Sequence, residues 1–197
     1  MSNKYNKLDH ENEFIPAYLE ESLKVAQYQK TLTKELYEVY EIIIEALNQG
    51  GKILLCGNGG SASDAQHIAA ELVNRFKVDR EPIPAIALTT DTSTLTSIAN
   101  DYGYEFIFSK QIQALGNKND VLVAISTSGK SENILNALLE AKQIGLKTIL
   151  FTGPNHKDID NNLDKIINIP SEETGVIQQS HITLLQLICG LVENSII

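Results

Sequence analysis

From Phe14 to Gln49 the chain is dense in helix-forming residues, with no glycine and a single proline, Pro16. Leu32, Leu36, Val39, Ile43 and Leu47 recur at the spacing of one helical face, and Gly50-Gly51 is a C-terminal stop signal. Tyr40, Ile42, Ile44 and Ala46 widen the apolar stripe, so this helix needs cover on more than one side. A partner subunit would supply it. Residues 1–13 are polar and read as loose.

Beyond Gly51 the rhythm changes. Short apolar runs fall at 52–56, 85–89, 121–125, 147–151 and 165–169. They are continuous rather than alternating, which predicts strands buried on both faces. Helical patterns separate most of them, at about 62–76, 105–115 and 131–144, and a long apolar helix is predicted over about 174–195. The alternation predicts an α/β fold, a parallel sheet with helices on both faces. The chain divides into an N-terminal helical segment, 1–50, and an α/β domain, 51–197. Ligands of such folds bind beyond the carboxyl ends of the strands, where strand order reverses. The loops after the first three runs therefore carry the functional question.

Composition narrows the class. The net charge of −9, from 25 acidic and 16 basic residues, argues against nucleic acid or an anionic membrane as a main partner. No apolar run approaches the ~20 residues of a membrane span. The polar N-terminus lacks a signal-peptide core. Cys56 and Cys189 sit in apolar runs and read as buried free thiols in a reducing compartment, so the expected location is the cytoplasm. His10 and His156 read as surface residues.

The first run ends at Cys56-Gly57-Asn58-Gly59-Gly60-Ser61, a glycine-rich turn opening a helix that carries His67 and Glu71 four residues apart. Freed backbone N–H groups favour an anion or a polar ligand there. His67 and Glu71 are either a solvated ion pair or a proton and metal handler. The third run ends in Ser126-Thr127-Ser128-Gly129-Lys130-Ser131, whose hydroxyls precede a helix. That is a good phosphate site; the alternative is capping by Ser128 or Ser131. The second run leads to Asp91 and then Asn100-Asp101, which suit sugar hydroxyls or turn and cap chemistry. Two nucleotide motifs nearly fit. A P-loop ending in Gly129-Lys130-Ser131 would need glycine where Ala124 stands. A dinucleotide fingerprint at Gly57, Gly59 and Ala62 lacks an acid at the expected distance, since Asp91 is 34 residues past Gly57. One small phosphorylated, polyhydroxylated ligand suits both loops better.

Taken together, GNGGSASDAQHIAAEL, ALTTDTS followed by IANDYGYE, ISTSGKS and IQQSHITLLQLICGLVE resemble the sugar isomerase (SIS) domain proteins over nearly the whole chain, most closely the bacterial phosphoheptose isomerases. The resemblance implies a flavodoxin-like five-stranded sheet and a homotetramer with sites shared across an interface. It implies isomerisation of sedoheptulose 7-phosphate to D-glycero-D-manno-heptose 7-phosphate, a step toward lipopolysaccharide heptose. By the same carry-over, Ser126, Thr127, Ser128 and Ser131 hold phosphate. Asn58, Gly59, Gly60, Ser61, Asn100, Asp101 and Gln178 line the sugar site. Glu71 is an acid/base that also touches substrate, and zinc is held by His67, Glu71, Gln178 and the residue at 186.

That last position departs from the family. A histidine is usual eight residues after the glutamine of the C-terminal motif, and Gln186 stands there. An amide cannot accept and return a proton at neutral pH and binds zinc less well than imidazole. His181 is no simple substitute, because five residues of helix turn it about 140° from Gln186. Two non-catalytic readings therefore stand beside the enzyme: a SIS tetramer that binds the replication initiator DnaA, for which Gln186 speaks and Glu71 speaks against, and a sugar-phosphate sensor.

Overall fold

The computed structural model describes residues 11–154 and 162–196. The expectations for residues 1–10, His10 and His156 lie outside the described residues. Helix α1 (Glu11–Gln29) already includes residues 11–13, which sequence patterning read as loose. A short 3-10 turn, Lys30–Leu32, separates it from α2 (Thr33–Asn48), so the N-terminal segment is two helices rather than one.

Then follow β1 (Ile53–Gly57), α3 (Gly60–Val73), β2 (Ala85–Ala87), α4 (Thr92–Asp101), α5 (Ser109–Leu115), β3 (Val121–Ser126), α6 (Glu132–Ile144), β4 (Lys147–Thr152), β5 (Lys165–Asn168) and α7 (Thr174–Ile196). All the strands pair in parallel, in the order β2-β1-β3-β4-β5.

Because strand side chains alternate, each inner strand feeds two cores. Ile53, Leu55, Val123 and Phe151 face a core closed by α1, α2, α3 and α7. Leu54, Cys56, Leu122 and Leu150 face one closed by α5 and α6, with Leu95 and Ile98 of α4 at its margin. Burial on both faces explains why β1, β3 and β4 read as unbroken apolar runs. The edge strands β2 and β5 are the exceptions, neither being buried along its whole length. Strand β2 is three residues long, and Ile86 at its centre is 38% exposed.

Sequence patterning missed α4. Its segment, TSTLTSIAND, is rich in Thr and Ser, which favour caps and turns over helix interiors. Asp91 starts the helix by capping it. Of the predicted helix over 105–115, only 109–115 is α-helical, after a 3-10 turn at Tyr104–Phe106. Helix α7 is long and apolar enough to cross a membrane by length and composition, yet half of its apolar window is buried inside the fold. It is the central helix of the larger core, packed on α1, α2 and α3.

Candidate active site

The strand order defines the crevice. From β1 the chain crosses to β2 on one side and returns to β3 on the other, so the loops leaving β1 and β3 part from each other. The last backbone register between these strands is Gly57 with Ile125. Past it lie the glycine turn and the hydroxyl loop.

Gly59 has φ 56° and ψ −122°, a conformation open to glycine and strained for other residues. Ser61 is buried in the first turn of α3. The Asn58 amide donates to Asn133 Oδ1 at 2.9 Å, and Asn133 donates back to Asn58 Oδ1 at 2.8 Å. The Tyr104 hydroxyl also donates to Asn58 Oδ1, at 3.1 Å. A Cβ on Gly60 would fall 2.1 Å from Gln178 Nε2, so α7 presses its amide directly onto the start of α3.

In the hydroxyl loop, Ser126 Oγ lies 3.5 Å from Ser131 Oγ, and Ser128 Oγ accepts the Lys130 N–H at 3.2 Å. Ser131 occupies the N-cap position of α6 without making a side-chain cap bond. Helix α4 shows the contrast: Asp91 accepts from Thr94 N at 3.0 Å and from the Thr94 hydroxyl at 2.7 Å, and these bonds hold its carboxyl below the usual range. Capping therefore accounts for Asp91. It does not account for Ser131. A helix N-terminus without a side-chain cap, beside several hydroxyls, favours an anion.

His67 Nε2 lies 3.0 Å from Glu71 Oε1, with the imidazole about half exposed and the carboxylate about one-fifth exposed. Asp64, one turn before His67, was not singled out by sequence reading. Burial pushes its carboxyl up to about 6, against the pull of His67. Its position three residues before the histidine on the same helix was the available signal. Arg80 was also missed. Its guanidinium donates to the carbonyls of Glu71 at 2.9 Å and Leu72 at 2.8 Å, closing the C-terminal end of α3. It forms a 3.4 Å ion pair with buried Glu193, whose carboxylate accepts the N–H groups of Phe76, Lys77 and Val78. Asn100 and Asp101 end α4, exposed and bonded to each other at 2.8 Å.

Helices α3 and α7 run side by side in the same direction. Gly60 meets Gln178, and eleven residues on in each helix Glu71 comes within electrostatic range of Cys189. Burial, with Glu71 adding to it, pushes the Cys189 thiol up to about 12, and burial likewise pushes the Cys56 thiol up. Gln186 lies about 12 Å along the axis from Gln178. It lines an open groove of about 500 Å³ between α2 and α7, with Tyr37, Phe76 and Leu187. His181 faces the other way. It is fully buried, its Nε2 bonds the Thr152 carbonyl at 3.2 Å, and its ring meets Phe151 edge-on. Burial lowers its pKa to about 4 despite that bond, so it is a neutral core residue.

The SIS domain model matches residues 17–153. The phosphoheptose isomerase of Burkholderia pseudomallei (strain 1710b) is 54% identical over 165 residues, 84% of each chain. That of Thermodesulfovibrio yellowstonii is 50% identical over 188 residues, 95% of this chain and 93% of the relative. The solved phosphoheptose isomerase GmhA from Neisseria gonorrhoeae superposes with a TM-score of 0.86 at 41% identity, covering 93% of this chain and 98% of that one. The chain belongs to the SIS domain family, among the phosphoheptose isomerases. In this SIS domain the glycine turn, the hydroxyl loop and Gln178 converge on the strand-end crevice.

Zinc, expected from the family, fits this donor set poorly. His67 and Glu71 are adjacent, but among the described residues no group of three or more His, Cys, Asp or Glu could hold a metal. The remaining expected donors are amides at separate places: Gln178 lies against Gly60, and Gln186 faces the groove.

Proposed function

We propose that this protein isomerises sedoheptulose 7-phosphate to D-glycero-D-manno-heptose 7-phosphate, in heptose biosynthesis for lipopolysaccharide. The observation that carries the reading is the hydroxyl loop at the start of α6, which no side chain caps, facing the Gly59–Gly60 turn across the β1/β3 crevice. It accompanies about 50% identity to phosphoheptose isomerases over most of the chain.

Ser126, Thr127, Ser128 and Ser131 receive the phosphate. The sugar extends toward Gly59, Gly60, Ser61 and Gln178, with Asn100 and Asp101 offered to its hydroxyls. Glu71 lies about 16 Å along α3 from Gly60. A second copy of the chain therefore supplies the Glu71 that removes the proton from C1 of the ketose and returns it to C2 through an enediol, while the O1 hydroxyl proton passes to O2. Backbone N–H groups at the start of α3 oppose the charge growing on the enediolate oxygen. The expected zinc remains a family implication that this donor set fits poorly.

The protein works as a homotetramer in the cytoplasm. Ile15, Leu19 and Leu23 form an exposed apolar row on α1, and Tyr37 and Leu187 extend apolar surface onto α2 and α7. Such a surface suits a second copy of the chain, which would also cover the partly exposed His67–Glu71 pair.

Gln186 favours a second reading, a sugar-phosphate sensor without turnover. Incubating the purified protein with sedoheptulose 7-phosphate, with and without added zinc, separates the two. Heptose 7-phosphate should form, and no product under either condition sinks the isomerase reading. Gln186→His should raise both turnover and bound zinc measured by elemental analysis; no change in either would mean that residue 186 does not serve the reacting centre.

A further inference from the structure

We propose that Asn133 is a positioning residue: its reciprocal amide pair with Asn58 sets the spacing between the phosphate loop and the sugar loop, and Tyr104 closes the pair on its solvent side. The inference rests on the sugar-phosphate reading of this crevice and adds residues which that reading does not use.

Asn133 is the second residue of α6 and only 3% exposed. Its two bonds to Asn58 join segments 75 residues apart in sequence. They stand just past Gly57 and Ile125, where backbone pairing between β1 and β3 ends. Beyond that point the sheet no longer holds the two loops together, and the amide pair takes over.

The hydrogen-bond inventory of Asn58 supports a structural task. Its Oδ1 accepts from both Asn133 and Tyr104, filling both lone pairs, and one of its two amide hydrogens goes to Asn133. One amide hydrogen and the backbone are left for a ligand. Tyr104 is 61% exposed, so its hydroxyl bond rather than ring burial ties it to this place. A ligand that spans both loops senses their separation; inorganic phosphate, seated on one loop, does not.

The test compares inorganic phosphate with sedoheptulose 7-phosphate, by calorimetry and by kcat and KM, in wild type, Asn133→Leu and Tyr104→Phe, after thermal melts show which variants are folded. Asn133→Leu should bind inorganic phosphate within about twofold of wild type while its sugar-phosphate affinity falls about tenfold or more, as expected when the ligand's two ends no longer match. Tyr104→Phe should show the same pattern at about threefold, and it decides the matter if Asn133→Leu does not fold. Equal losses for both ligands, or no loss for either, overturn the proposal. A wild type that binds the sugar phosphate without turning it over refutes the isomerase reading alone, and the two affinities still judge Asn133. A wild type that binds no sugar phosphate refutes both.

Discussion

The two ligand loops and the two helical faces behind them are built differently. The loops leave the carboxyl ends of buried strands, and the amide pair of Asn58 and Asn133 ties them within one chain. The α3 and α7 faces share a well-packed seam, but their chemistry-bearing edges stay open: His67 is half exposed, and Gln186 lines a groove. The part proposed to hold a ligand is tied together within the single chain. The part that would move a proton presents its groups outward, where a second copy can complete them. A strand-end site is positioned by sheet hydrogen bonds, whereas a helix edge is positioned only by what packs against it.

The sharpest way to break this contrast is Glu71→Gln. It should lower kcat by about 10²–10⁴-fold, the range for a positioned acid/base, with little change in KM. Steady-state kinetics that leave kcat unchanged would take the helical edge out of the chemistry.

The inner face of α7 supplies the next effect. With its folded pKa near 4, below the ordinary 6.5, His181 binds a proton more readily in the unfolded chain. Its contribution to stability is therefore complete above pH 6.5 and lost as pH falls toward 4, on the order of 3 kcal/mol. Asp64, raised to about 6, works in the opposite sense: it favours the fold at low pH, an effect lost as pH rises through 6. Urea unfolding between pH 4 and 7 should show a shallower acid limb in His181→Gln than in wild type. Equal limbs would mean that the imidazole is not buried neutral.

Gly60→Ala probes the joint between the two regions. Residue 60 has no positive φ, so alanine fits the backbone, but its Cβ would displace the Gln178 amide. We expect kcat/KM to fall about tenfold while stability changes by no more than about 1 kcal/mol. A variant with wild-type kinetics would uncouple α7 from the glycine turn. The smallest effect is expected for Asp91→Ala, which removes a helix cap worth about 1 kcal/mol in a thermal melt and leaves kinetics alone. A changed KM would make Asp91 a ligand rather than a cap.

Legibility in sequence followed how local each signal was. The inner strands were readable because burial on both faces leaves continuous apolar runs, and α6 and α7 because their apolar spacing is regular. Helix α4 was not, since its Ser and Thr mimic a loop and its cap, Asp91, looked equally like a ligand. The roughly 140° between His181 and Gln186 followed from helical geometry, and the two residues do face different surroundings, one the core and the other the groove. Arg80 and Glu193 gave no sign of each other, being 113 residues apart.

By itself the sequence determined where strands end, which turns demand glycine, which loops carry hydroxyls and which family the chain joins. These are demands of local backbone geometry and of burial on one face or two, and they are written within a few residues. Only the tertiary structure decided that Asn58 spends its amide on Asn133, that Gln178 rests on Gly60, that Arg80 closes the end of α3 on Glu71, and that α7 packs along α3. Those pairings span from nine residues to more than a hundred, and they arise when crossovers and packed faces bring distant segments together, a geometry no local pattern encodes.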